Sequence, residues 1–417
     1  MHYLRHMDLR EFIAAHLGDD PASLALHRDR WPDVDVALAA DCIAAKRKLR
    51  GKVQEWYGDP RILIPSPLSA EQCSSTLTAR HKAVLALQLA GTSEGLRLAD
   101  LTGGLGVDSW QFAAAGATVL YNEMNPVLAD AARENFAALG YPGISVSNLE
   151  ITASNIGDIL DGFKPDIVYL DPARRGSGGR KVFRLEDCSP KLLEIQDIIL
   201  GRGIRLMAKL SPVADVSLLG RSLHNLKEIH IVEASGECKE LLALCEPEFD
   251  GEYSIVVEIA GATGNDGIRF LPSEESTATA IPAALPDHPY AMPDPLGHLF
   301  EPGPALMKSG AFKLIAQRFG IHPLGPSAHL YLVLENAGIG AFAPFGKLFE
   351  IQEVALFGKA SLKRFASLWP DAEITARALP LSTDELRRKM ALRGGGKTHI
   401  FAVGTPSGKH LISCRKA

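Results

Sequence analysis

Two turns that each carry a carboxylate stand about seventy residues apart in this chain. The first is Asp100-Leu-Thr-Gly-Gly-Leu-Gly-Val-Asp108, which follows the apolar pair Leu98-Ala99. The second is Asp171-Pro-Ala-Arg-Arg175, which follows Val168-Tyr-Leu170. Ligands of open α/β sheets bind outside the carboxyl ends of the strands. Glycines in such a turn let a ligand approach the backbone closely. The second turn brings a carboxylate and a proline-stiffened bend to the same expected edge. The pair predicts a cofactor site beside a reaction site.

The glycine turn suits a dinucleotide or S-adenosylmethionine. The dinucleotide fingerprint G-x-G-x-x-G fails, because Ser109 occupies the third glycine position counted from Gly104 and Gly106. A P-loop needs a lysine that residues 103–108 lack. Gly396-Lys397-Thr398 has the lysine, but Ala391 stands where the earlier glycine is required. The next strand ends Tyr121-Asn-Glu123, and an acid there accepts hydrogen bonds from ribose hydroxyls. Asn148 follows the third strand and is expected near the adenine.

The elements that must position these residues alternate. Strands are predicted near residues 96–101, 117–122, 144–147, 166–170, 204–210, 227–233 and 253–259, with helices between the first six. That alternation predicts a parallel, doubly wound sheet. Residues 8–57 read as helical, with a stop at Gly18. Residues 261–296 are rich in Gly, Pro, Ser and Thr and read as a linker. A helix over 304–319, a strand over 329–334 and a final α+β unit from Ala341 complete the chain. Ser235–Glu240 is expected as a loop facing the site, with Glu237 or Lys239 near substrate.

At 417 residues and 46% hydrophobic, the chain is long enough for several domains with a sizeable core. It has no apolar run of membrane-spanning length and no signal-peptide core, so a cytoplasmic protein without membrane contact is expected. The cysteines at 42, 73, 188, 238, 245 and 414 form no CxxC pair, so reduced thiols and no metal are expected. From Ala341 onward, 13 Lys+Arg stand against 6 Asp+Glu, a balance of +7 in a chain whose total is −5. A basic terminal segment on an acidic protein points to a polyanion, and nucleic acid is the expected one.

Asp100-Leu-Thr-Gly-Gly-Leu-Gly resembles the first motif of class I S-adenosylmethionine-dependent methyltransferases, with Thr102 where many members have the first glycine. That resemblance implies cofactor contacts from Asp100, Thr102, Gly103, Gly104, Gly106 and Asp108, beside Glu123 and Asn148. Asp171-Pro172-Ala173-Arg174 resembles the Asp/Asn-Pro-Pro-aromatic motif of amino-group methyltransferases. There, a side-chain oxygen and a backbone carbonyl orient the target amine, so positioning supplies most of the catalysis. Asp171, Pro172 and Arg174 are the catalytic candidates this implies. Ala173 and Arg174 depart from the pattern, and an arginine plane can itself stack on a base. Lys209-Leu-Ser-Pro212 has no cysteine, which disfavours covalent carbon-5 pyrimidine chemistry, and Cys188 lies after the arginine-rich loop.

Further runs resemble a bacterial class I family with ferredoxin-like and THUMP-like C-terminal domains: Leu68-Ser-Ala-Glu-Gln-Cys-Ser-Ser75, Thr78-Ala-Arg-His-Lys-Ala83, Lys209-Leu-Ser-Pro212 and Gly236-Glu-Cys-Lys-Glu240. The resemblance implies an α/β chain with a doubly wound Rossmann-like methyltransferase sheet, a helical N-terminal region and small α+β C-terminal domains. The expected divisions are 1–72 helical, 73–262 methyltransferase, 263–340 linker and ferredoxin-like, and 341–417 THUMP-like and RNA-binding. The expected function is S-adenosylmethionine-dependent methylation of structured RNA (tRNA or rRNA) at a base amine. A methyltransferase for a protein or small molecule, or a non-catalytic RNA-binding protein, is the alternative.

Overall fold

The computed structural model describes residues 9–91, 95–174, 185–261, 267–283, 285, 297–334 and 338–417. The chain divides into two units. The first is built on residues 1–234, 239–253 and 260–264, the second on 235–238, 254–259 and 265–417.

The first unit opens with short helices: α1 Leu9–Ala15, α2 Pro21–Leu26, α3 Val36–Leu49, α4 Gln54–Gly58 and α5 Pro67–Gln72. Phe12, Ile13, Val36 and Ile43 give the first three their own small core, with Trp31 edge-on to Phe12. Prolines and polar caps punctuate the run. Asp20, Asp35 and Ser66 each cap a helix start by accepting a backbone N–H. Helix α6, Thr76–Ala90, begins with a capping box between Ser75 and Thr78 and ends at Gly91 in the left-handed region.

The alternating core follows: β1 Arg97–Asp100, α7 Val107–Ala114, β2 Thr118–Asn122, α8 Pro126–Ala138, β3 Ser145–Ser147, α9 Ile156–Phe163 and β4 Ile167–Leu170. A small ladder pairs β5 Ala173–Arg174 with β6 Cys188–Ser189. Then come α10 Leu192–Leu200, β7 Arg205–Leu210, α11 Val216–Ser222, β8 Leu226–Ala234 and β9 Glu237–Cys245. In this unit the sheet order is β8-β9-β7-β4-β1-β2-β3. Strand β1 pairs in parallel with both β2 and β4, so Asp100 lies level with Tyr121 and Tyr169. All four residues of β4 are buried, as expected where helices cover both faces. Trp56, Phe112, Tyr121, Phe136 and Tyr169 fill the core around these strands.

The predicted strands fall within a residue or two of those observed, and the doubly wound α/β core is present. One expectation fails. Ser235–Glu240 is not a site-facing loop, because a tight turn at Ser235-Gly236 leads into β9. This strand runs antiparallel to β7, with Leu206 opposite Cys245 and Leu210 opposite Leu241. The sheet is therefore mixed, with an antiparallel strand between β8 and β7.

The second unit holds the hairpin of β10 Ser254–Ile259 and β11 Ile268–Phe270, then α12 Pro272–Thr277. The described part of the predicted linker thus contains a strand and a helix. A seven-stranded sheet is built from β12 His298–Pro302, β13 His322–Pro323, β14 Tyr331–Val333, β15 Gly346–Leu356, β16 Glu373–Arg377, β17 Thr398–Thr405 and β18 Gly408–Lys416. Its order is β13-β14-β12-β15-β18-β17-β16, and only β16 and β17 pair in parallel. The predicted helix over 304–319 is broken at Gly310 (φ 76°) into α13 Pro304–Ser309 and α14 Phe312–Phe319. Helices α15 Lys359–Leu368 and α16 Thr383–Met390 complete it. Side chains alternate across the sheet: Ile400 and Ala402 join a core with Phe365 and Leu386, while Phe401 and Val403 join one with Phe349 and Ile412.

Candidate active site

The turn after β1 is fixed from both sides. Asp100 is buried; it accepts hydrogen bonds from Thr102 N (3.1 Å) and Ser109 Oγ (2.6 Å). Burial pushes its carboxyl up to about 8, with the Asp108 and Asp171 charges adding to the effect. Gly103 has no room for a side chain, because a Cβ there would lie 2.1 Å from the Tyr121 ring. Gly104 is left-handed (φ 54°), and a Cβ on it would meet nothing within 4 Å, so the turn is open on that side. Tyr121 Oη donates to Gly104 O (2.6 Å), and Gly104 N donates to Glu123 Oε2 (2.9 Å). Gly106 starts α7.

A cavity of about 550 Å³ opens beside this turn. Thr102, Gly103, Gly104, Gly106, Asp108 and Glu123 all border it. Asn148 does not. Its Nδ2 donates to the Glu123 carbonyl (2.6 Å), bracing that acid, and the three residues after it form the wall instead. Part of the wall comes from α5 and the segment after it, including Leu68, Gln72 and Cys73. The volume lies in the range of ordinary small-ligand sites.

The donor set fits S-adenosylmethionine. Asp108 borders the cavity, although its buried Oδ1 already faces the Lys82 ammonium at 3.2 Å. Besides the largely neutral Asp100, four acids (Asp108, Glu123, Glu150 and Asp171) border the same space against one lysine, Lys209, which favours a cationic ligand. Glu123 would take the ribose hydroxyls, and the exposed Met124 and Leu149 supply apolar surface at the same rim.

The end of β4 meets the turn directly. Asp171 N donates to Thr102 Oγ1 (2.6 Å), so the residue replacing a usual glycine ties the two strand ends together. Lys209 Nζ, at the end of β7, donates to Asp171 Oδ2 (2.5 Å). Pro172 is buried, and Ala173 borders the cavity with Ser189 and Pro190. The backbone of Arg174 pairs with Cys188; the Arg174 side chain lies outside what is described. Burial pushes the Cys188 thiol up to about 11, which keeps it protonated and unreactive.

Beneath the cavity lies a cluster that motif reading did not assign. Lys82 of α6 is fully buried. It donates to Glu240 Oε1 and Oε2 (both 2.9 Å) and to Ser74 Oγ (2.8 Å), and lies 3.2 Å from Asp108 Oδ1. Asp108 Oδ2 accepts from Ser74 Oγ and Tyr169 Oη, both at 2.9 Å. Burial alone would raise Asp108, but Lys82 and Lys209, with those two hydroxyls, hold it below the usual carboxylate value. Lys82 and Glu240 are 158 residues apart in sequence. The only sequence signal for the cluster was that Ser74, Lys82, Lys209 and Glu240 each fall in one of the runs carrying the family resemblance.

Among the described residues, no group of three His, Cys, Asp or Glu is placed to hold a metal ion, and no helix is long and apolar enough to cross a membrane.

Residues 298–336 match a family described as a ferredoxin-like domain, and residues 346–416 one described as THUMP domain-like. Two uncharacterized S-adenosylmethionine-dependent methyltransferases of Mycobacterium tuberculosis, from strains CDC 1551 / Oshkosh and ATCC 25618 / H37Rv, are each 27% identical over 352 residues. Those alignments cover 83% of this chain and 87% of each relative. A crystal structure from Porphyromonas gingivalis W83, provisionally named a methyltransferase, is 29% identical with a TM-score of 0.83, covering 100% of this chain and 99% of the other. The resemblance to S-adenosylmethionine-dependent methyltransferases with ferredoxin-like and THUMP-like C-terminal domains is thus borne out. The fold class read from the sequence, the enzyme class and the cofactor agree with these relatives.

Proposed function

We propose that this protein transfers a methyl group from S-adenosylmethionine to a base amine of structured RNA, a tRNA or rRNA. The observation that carries the reading is the single cavity shared by the Gly103–Gly106 turn, Glu123 and Asp171. The cofactor supplies an electrophilic methyl on a sulfonium. The chain's part is to bind and orient. Asp100, Thr102, Gly103, Gly104, Gly106, Asp108 and Glu123 form the cofactor side, with Asn148 bracing Glu123. Asp171 accepts an N–H from the target amine, and the buried Pro172 stiffens the turn that presents it. Arg174, two residues beyond Pro172, is assigned to holding the nucleotide.

Residues 73–262 form the methyltransferase domain in this reading, and α5 of the 1–72 region adds a wall to its cavity. Residues 263–340 and 341–417 carry the ferredoxin-like and THUMP-like parts. RNA is supported by the THUMP-like match and by the +7 balance after Ala341. Several of those arginines are engaged internally: Arg364 with Glu353, Arg377 with Glu301, Arg387 with Glu373 and Arg393 with Asp371. Arg388 and Lys389, exposed on α16, form no ion pair with a described residue and are the better RNA contacts.

Labelled methyl transfer to RNA from a strain lacking the protein, followed by nucleoside mass spectrometry, tests the reading. A methylated base restored by the protein is the expected result; label in protein or small molecules alone overturns it. Binding of the full chain to that RNA should weaken as salt rises. Arg388→Glu with Lys389→Glu should lower the affinity and reduce the salt slope by about two.

A further inference from the structure

Asp171 stands at a strand end with its side chain 38% exposed, where a carboxylate has several rotamers open to it. One bond fixes the backbone, and a second restrains the carboxylate itself. Thr102 Oγ1 holds the backbone N–H at 2.6 Å, and Lys209 Nζ holds Oδ2 at 2.5 Å. Among the described residues, Oδ1 accepts no hydrogen bond, and Asp171 borders the cavity. One oxygen is therefore pinned and the other is left for a ligand.

Lys209 is itself held. Its side chain is 13% exposed and sits on β7, whose Ala208 is level with Leu170 at the end of β4. On its other side, β9 places Leu242 opposite Lys209, and Glu240 lies two residues along that strand on the same face. Burial works against the Lys209 cation, yet the Asp171, Glu240 and Asp108 charges together hold its ionisation above the ordinary lysine value. Lys209 is thus a fixed cation and cannot accept a proton from the target. Glu240 is in turn locked by both its bonds from Lys82. Lysines and carboxylates alternate from Lys82 through Glu240 and Lys209 to Asp171, and only the last of them is substantially exposed.

We propose that Lys209 is a positioning residue, anchored by the Lys82–Glu240 pair, that fixes Asp171 so that Oδ1 alone accepts the N–H of the target amine. This rests on the methyl-transfer reading above. It adds a cause for the alignment: the target nitrogen is oriented by a carboxylate with one permitted direction, and Lys209 sets that direction.

The test uses the full chain and two measurements. In single-turnover methyl transfer to RNA from a strain lacking the protein, Lys209→Met should slow transfer about 10²-fold, the scale of a misplacement near 1 Å. S-adenosylhomocysteine affinity by calorimetry should change less than about threefold, no more than one weak hydrogen bond's worth. Lys209→Arg, which keeps the cation, should recover most of the rate. In an Asp171→Asn background, Lys209→Met should cost no further rate; additive losses would overturn the proposal. This double variant replaces the ion pair with a neutral one, so it guards against a single variant that fails to fold. The second measurement is independent of RNA. A crystal structure of Lys209→Met should show the Asp171 carboxylate turned or split between conformers; an unmoved carboxylate would sink the idea. If the wild-type protein methylates no RNA, the RNA reading fails, while the crystallographic outcome still decides the role of Lys209.

Discussion

The ends of β1 and β4 carry one aspartate each, and the two are treated oppositely. Asp171, at the end of β4, is partly exposed and has Lys209 against one oxygen. Asp100, at the end of β1, is buried and has only a hydroxyl and an amide for partners, so its carboxyl is pushed up to about 8. At Asp100, burial outweighs the two neutral donors, which by themselves favour the charged form. The chain therefore sets one acid against a lysine at the cavity edge and uses the other as a structural brace for the glycine turn.

The sharpest way to break this contrast is to remove the cations behind it. Lys82→Met leaves Glu240 and Asp108 without their shared lysine in a buried site. Denaturant unfolding should show a loss of about 3–5 kcal/mol. Next in size, Asp171→Ala should slow single-turnover transfer about 10²–10³-fold while calorimetry finds cofactor affinity nearly intact, since the acceptor is lost only where the target is aligned. Glu123→Ala removes the acid at the end of β2 and should weaken binding of S-adenosylhomocysteine by about 1.5–3 kcal/mol in calorimetry.

The smallest effect sharpens the β1 side. The folded state binds a proton at Asp100 more tightly than the unfolded chain does, so Asp100 favours folding most at low pH. That contribution is lost as pH rises from about 4 to about 8. Asn keeps a neutral side chain there at every pH. The urea midpoint of Asp100→Asn should gain on wild type as pH rises through this window; parallel curves would mean that Asp100 is not protonated in the folded protein.

Much of this was visible in the sequence. The strand ends at Asp100, Glu123 and Asp171 follow from apolar runs stopped by turn residues, which are local signals. The antiparallel β9 was missed because Leu241–Cys245 is a continuous apolar run, which periodicity cannot assign. Its two-residue Ser235-Gly236 turn was the signal for a hairpin. The break at Gly310 was missed because the apolar spacing continues through it. The Lys82–Glu240 pair was invisible for a different reason: its partners lie far apart in sequence, and only the crossing of α6 behind the sheet joins them. Thr102 looked like a departure from the pattern, and its role required the Asp171 amide to be placed.

One feature of the second unit bears on how such proteins diversify. The ferredoxin-like match ends at 336 and the THUMP-like match begins at 346, yet β12 of the first pairs along its whole length with β15 of the second, from His298 opposite Glu350 to Pro302 opposite Gly346. Recombination between the two segments would strip a five-residue ladder from β15 and leave an open edge prone to aggregation. The two segments therefore share one sheet and close each other's edge. A replacement for either one has to bring a strand of matching length to that edge.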